Sequence, residues 1–221
     1  MAYFHFQSSA IILIANLYPY QFEDLTDVSP LTNSGITGTS LPDIYNGFHF
    51  EGMKLAVANP LGQPLTPVGK RFALGFNASS ITTKFVGQTL RSFNPLSAAF
   101  GLFLATQQGE TPAVNGTIRV TPSAGSSPVL KTFDPAYVDC PFKPTTLSTN
   151  TITCLTPGCG LVQTCQFPRT WREVEKLRFL IFPSLPPVTN SIPIPLPVGE
   201  QLLAFDDFNY TPTTLLPGER C

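Results

Sequence analysis

Proline recurs so often along this chain that long helices are excluded before any other feature is weighed. There are 23 prolines in 221 residues, about twice the ~5% usual in proteins. Each removes a backbone donor and clashes with the preceding helical turn. Between them lie short runs with the two-residue alternation of β-strands, separated by turn residues. Tyr45-Asn46-Gly47-Phe48-His49-Phe50 places Phe48 and Phe50 on one face, directly after an Asn-Gly turn signal. Arg71–Phe76 alternates in the same sense, with Phe72, Leu74 and Phe76 sharing a face. Ala98–Ala105 is apolar throughout, as in a central strand buried on both sides. Thr117–Thr121 and Val129–Phe133 read as a hairpin joined by residues 122–128, and Leu177–Phe182 as a further strand. Thr170 with Glu173 three residues later matches a capping box, but the stretch runs straight into that strand, so one helical turn at most is expected.

The expectation is an all-β fold, a single antiparallel β-sandwich over residues 21–211. Residues 134–168 read as a cysteine-rich insertion, 183–197 as a proline-rich loop and 212–221 as a C-terminal tail. The apolar run Ala10–Leu17 makes residues 1–20 either a signal peptide or a first strand, and it is too short to span a bilayer. No transmembrane span is read anywhere in the sequence. Only 12% of residues are charged, with a net charge of −1, against the ~25% usual for soluble domains. The basic residues form no coherent stripe, which excludes a nucleic-acid partner.

Cys140, Cys154, Cys159 and Cys165 cluster in the insertion, and Cys221 stands apart. Their spacings are longer than those of a zinc site, and the only histidines are His5 and His49. Two disulfides within the cluster are therefore expected, with the pairing open and Cys221 free, paired between chains or replacing one member. Bridges of this kind belong to an oxidising compartment. The sequons at Asn77, Asn115 and Asn209 fit the same extracellular location.

The chain closes on Leu202–Thr211, where Asp206 and Asp207 interrupt an aromatic, strand-like run. Burying a carboxylate costs several kcal/mol unless a cation or several donors offset it. Glu23 and Asp24 repeat the arrangement near the start, beside Phe22. Acids brought together from two distant strands suit Ca²⁺, which takes six to eight oxygens. The alternative is that Asp206 and Asp207 are ordinary strand-end or turn residues.

Phe22-Glu23-Asp24, Tyr45–Phe48, Phe93–Ala98, Trp171 with Val174, and Phe205-Asp206-Asp207-Phe208 together resemble uncharacterised secreted fungal β-sandwich proteins. The two ends also resemble jelly-roll, galactose-binding-like carbohydrate-binding modules. That resemblance implies a structural Ca²⁺ where the terminal strands meet, with Glu23 and Asp206 as ligands and Asp24 and Asp207 beside them. It also implies glycan binding through exposed rings, for which Trp171, Tyr45 and Tyr137 are the candidates, with a core role the competing reading for Trp171. Most of the 18 phenylalanines fit a core.

No nucleophile motif, P-loop or dinucleotide fingerprint is present, and outside the leader His49 is the only imidazole. Glu51 or Glu110 could serve a glycoside hydrolase, but no spacing singles them out. The expected role is a non-catalytic secreted interaction module binding cell-wall or extracellular glycan. The rivals are a structural or host-interacting protein with an extracellular protein partner and, behind it, a hydrolase.

Overall fold

A computed structural model describes residues 22, 25, 39–41, 44–57, 71–106, 114–124, 131–143, 163–183 and 199–214. They form an all-β structure of nine strands: β1 (Thr39–Ser40), β2 (His49–Val57), β3 (Arg71–Thr82), β4 (Leu90–Thr106), β5 (Gly116–Ser123), β6 (Val138–Phe142), β7 (Gln163–Gln166), β8 (Lys176–Pro183) and β9 (Gly199–Thr214). Every pairing is antiparallel, in the order β6-β5-β8-β3-β9-β4-β7, with β2 on the other side of β3 and β1 beside β2. No helix occurs among the described residues; the turn at Arg169 and Thr170 leads to a β-bridge at Val174.

The sheet curls on itself because β3 changes partner halfway. Residues 73–76 pair with β9, and residues 80–82 pair with β8. Between them β3 bulges, with Ala78 at φ 69° and Asn77 exposed. The Asn77 side-chain carbonyl accepts the Ile181 N–H at 3.0 Å, taking over where the β3–β8 ladder ends. On the far side, Val174 exchanges two backbone hydrogen bonds with Phe93 before the chain enters β8. One strand thus joins the two halves at each side, and the sheet is nearly closed into a barrel-like shape.

The remaining gap lies between the two end strands, β6 and β7. Pro141 has no N–H, so it fits β6 where its nitrogen faces away from the β5 ladder and toward this gap. That leaves the β6 edge a poor template for further pairing. Two other contacts span the seam. Cys140 and Cys165 form a disulfide with Cα atoms 5.7 Å apart. The Gln163 carboxamide accepts from the Lys143 N–H and donates to its carbonyl. The segment 134–168, read as a cysteine-rich insertion, supplies both strands that flank the seam. The hairpin expectation is corrected with it: β5 pairs with β6 and β8, and residues 131–133 lie outside any strand.

Inside, phenylalanines meet edge to face in one cluster and tilted in the next. Phe48, Phe93 and Phe208 form one cluster, with Phe48–Phe93 centroids 5.0 Å apart. Phe100, Phe179 and Phe205 form the next. Phe22 joins through Tyr45 and Phe50, which places it one ring away from Phe48 and thus near β9. A second apolar layer, including Phe72, Leu74, Leu202 and Ala204, is buried on the opposite face of the sheet. Burial on both faces is why these strands read as unbroken apolar runs. The Asn-Gly signal is realised as a tight turn: Asn46 and Gly47 both have positive φ, and Tyr45 and Phe48 exchange two backbone hydrogen bonds. A Cβ at Gly47 would meet the Leu90 side chain at 2.8 Å.

Candidate functional site

Two of the three rings proposed for ligand binding are core residues. Trp171 is 1% exposed, stacks on Phe167 at 5.8 Å, and donates its indole N–H to the Pro135 carbonyl at 2.8 Å. Tyr45 is 7% exposed and stacks on Phe22. Neither ring presents an open face, which favours the core role for Trp171 and the same role for Tyr45. Burial of the indole is tolerable because its one polar atom has found an acceptor.

Tyr137 is different. It is 46% exposed, just ahead of β6, and its ring faces the Arg119 guanidinium at 3.8 Å. Arg119 lies on β5 directly opposite Asp139, and its Nε and Nη2 both donate to that carboxylate at 2.8 Å. The hydrogen bonds from Arg119 hold the Asp139 carboxyl below its ordinary range. From the other side Phe182 of β8, 45% exposed, approaches the same guanidinium at 5.2 Å. Alternation explains the placement: Ile118 and Val120 point inward, so Arg119 points outward, as does Phe182 one position after buried Ile181. The result is a surface formed by β5, β8 and the residue leading into β6, with two open rings flanking an oriented cation. The sequence signal for Phe182 was an aromatic in the outward phase of a strand; its meeting with Arg119 required the cross-strand register.

The acid pair occupies a β-bulge. Asp206 is opposite Ala99 and Asn209 is opposite Ser97, so β9 carries one more residue than β4 between these points. Asp207 takes up the extra length at φ 47°, and the Asn209 side-chain amide donates to its carbonyl at 3.0 Å. The bulge lets both Phe205 and Phe208 face the core, although alternation would send one of them outward. Asp206 is fully buried and Asp207 half-buried. Glu23 and Asp24 lie outside the described residues. Among the described residues no cluster of three or more His, Cys, Asp or Glu could hold a metal. Two carboxylates carry four oxygens, short of a calcium shell, so Glu23, Asp24, carbonyls or water would have to supply the rest.

Glu51, the hydrolase candidate, is held by Ser80 and Lys176, both of which donate to its Oε2. Glu110 lies outside the described residues, as do Cys154, Cys159 and Cys221. Of the sequons, Asn77 and Asn115 are exposed and Asn209 is half-buried. In Asn209 the nitrogen that would carry a glycan is the donor to Asp207. Among the described residues no helix is long and apolar enough to cross a membrane.

The chain matches no family model, and no curated protein or solved structure matches it. The functional reading therefore rests on the geometry.

Proposed function

We propose that this protein is a secreted, non-catalytic interaction module of jelly-roll type that binds cell-wall or extracellular glycan on its β6-β5-β8 face. The observation that carries the reading is the pair of exposed rings, Tyr137 and Phe182, on either side of Arg119. Pyranose rings stack their C–H faces on such aromatics, while a guanidinium and carboxylate held in place offer donors and acceptors to hydroxyls. Pairing with Asp139 limits the attraction of Arg119 for simple anions, which favours a neutral polymer. The Cys140–Cys165 bridge is in keeping with an oxidising compartment. The division of the sheet at β3 is in keeping with two facing layers. Engagement of Glu51 by Lys176 and Ser80 favours a structural part for that acid over a catalytic one.

The test is retention on insoluble chitin, cellulose and β-glucan, comparing the wild type with the Tyr137→Ala/Phe182→Ala double variant. Retention on one polymer, reduced about tenfold or more in the double variant, is the expected result. Exposed tyrosine and arginine are also the residues of protein hot spots. Failure to bind any of the three polymers would therefore shift the same face to an extracellular protein partner.

A further inference from the structure

Asn77 and Asn115, distant in sequence, stand at the same end of the β6-β5-β8 face. Where the β3–β8 ladder stops, the Asn77 carboxamide oxygen accepts the Ile181 N–H, which sets Asn77 beside β8 next to Phe182. Asn115 lies just ahead of β5, and Thr117, the hydroxyl residue of its sequon, is paired directly with Phe182. Both asparagines are exposed, and they flank Phe182 on the β3 and the β5 side of β8. The sequons differ in how they use the nitrogen that takes a sugar. The structural bond of Asn77 is made by Oδ1, and its Nδ2 makes no hydrogen bond among the described residues. In Asn209 it is Nδ2 that donates, to the Asp207 carbonyl, at a half-buried position on β9 paired with Ser97. A glycan is bulky and needs open solvent.

We propose that Asn77 and Asn115 carry N-linked glycans, that Asn209 carries none, and that the two glycans cover the Phe182 end of the face. Their occupancy then sets how much of the face an outside polymer can reach. The proposal rests on the secreted location proposed for the protein and not on polymer binding. In the transfer step the Asn nitrogen attacks the anomeric carbon of an oligosaccharide linked to a lipid pyrophosphate. The C–N bond forms, the anomeric C–O bond breaks, the lipid pyrophosphate leaves with its electron pair, and the transferase takes up one Nδ2 proton. Oδ1 is untouched, so the bond from the Ile181 N–H survives. Ser79, the hydroxyl residue of the Asn77 sequon, is buried in the fold, so transfer precedes folding. Phe182, half exposed, then offers its ring to the C–H faces of the attached sugars.

The experiment uses the full chain produced in a eukaryotic secretory host. Enzymatic release of the glycans in heavy-oxygen water, followed by peptide mass mapping, marks Asn77 and Asn115 and leaves Asn209 unmarked. Hydroxyl-radical footprinting then compares the intact glycoprotein with the Ser79→Ala/Asn115→Gln variant. Ser79→Ala removes the sequon without touching the Asn77–Ile181 hydrogen bond, and the buried Ser79 hydroxyl has no hydrogen-bond partner among the described residues to lose. Phe182 in the glycoprotein reacts about twofold or more slowly than in the variant, as covering one of its two ring faces requires. Tyr137, across Arg119 from Phe182, and Val86, fully open between β3 and β4, react alike in both. Failure of the chain to leave the cell would overturn the location and the proposal together. Secretion with Asn77 and Asn115 bare, a glycan on Asn209, or equal Phe182 reactivity in the two forms would overturn the proposal alone.

Discussion

Asp207 shows how one residue's backbone preference organises its surroundings. A left-handed conformation strains most side chains, but Asp and Asn enter it with less cost and glycine with none. At φ 47° Asp207 makes the bulge that keeps Phe205 and Phe208 in the same core. Asp207→Gly should therefore leave the melting temperature within a degree or two of wild type, about 0.5 kcal/mol or less. Asp207→Val should cost about 1–3 kcal/mol, because a β-branched side chain is strained at positive φ. Equal loss in both, measured by chemical denaturation, would place the importance of Asp207 in its carboxylate. Asp206 carries the calcium expectation forward as a proposal. If Ca²⁺ offsets the burial of its charge, EDTA lowers the melting temperature of the wild type and leaves Asp206→Asn unmoved. A wild-type melt indifferent to EDTA removes the ion.

Along the main run of the sheet, β6 and β7 are the two end strands and its shortest, at five and four residues, and each has a strand neighbour on one side only. The disulfide ties them together across a sequence separation of 25, for which loop-closure entropy gives about 3–4 kcal/mol. Cys140→Ser/Cys165→Ser should lose stability of that order, and hydrogen exchange should accelerate first in β6 and β7. Exchange spread evenly over all strands would contradict the picture of a locally latched seam. Elsewhere Glu51 of β2 binds Ser80 of β3 and Lys176 of β8, joining three strands. Burial pushes its carboxyl upward, but the hydrogen bonds from Lys176 and Ser80 outweigh this and hold it below its ordinary range near 4.5. A depressed carboxyl stabilises the fold above that range and loses the contribution as pH falls through the folded value. Glu51→Gln should accordingly be less stable at pH 7, by under about 1 kcal/mol for so exposed a pair. The gap should close as the solution is acidified through the folded value, which lies below the ordinary one. A gap that persists in acid would mean that shape, not charge, sets the difference. These two short strands were hidden in the sequence: prolines and cysteines masked the alternation of 138–142, and four residues are too few to show a period.

At the scale of the whole molecule, the sheet has no clean division into independent parts. β3 belongs to both halves, and the segment from β7 to β8 runs along β4 before crossing to β5 and β3. Such a molecule should unfold as one unit. Trp171, the only tryptophan, sits in that crossing and serves as a probe of it. Its fluorescence and the far-ultraviolet circular dichroism should follow one coincident transition in denaturant. Two separated transitions would show that the halves hold together independently. What could be read along the chain was whatever local chemistry dictates. Proline density excluded long helices, alternation placed Phe48, Phe72 and Leu74 on their faces, and Asn46-Gly47 demanded a tight turn with positive φ. The outward phase of Arg119 was legible for the same reason, since successive side chains on a strand point to opposite faces. Pairing is not local. Only the assembled sheet set Phe182 and Tyr137 beside Arg119, buried Trp171, matched Cys140 with Cys165, and turned an acid pair into a bulge. Each of these depends on which strand lies next to which and in what register, and alternation within one strand carries no record of its neighbour.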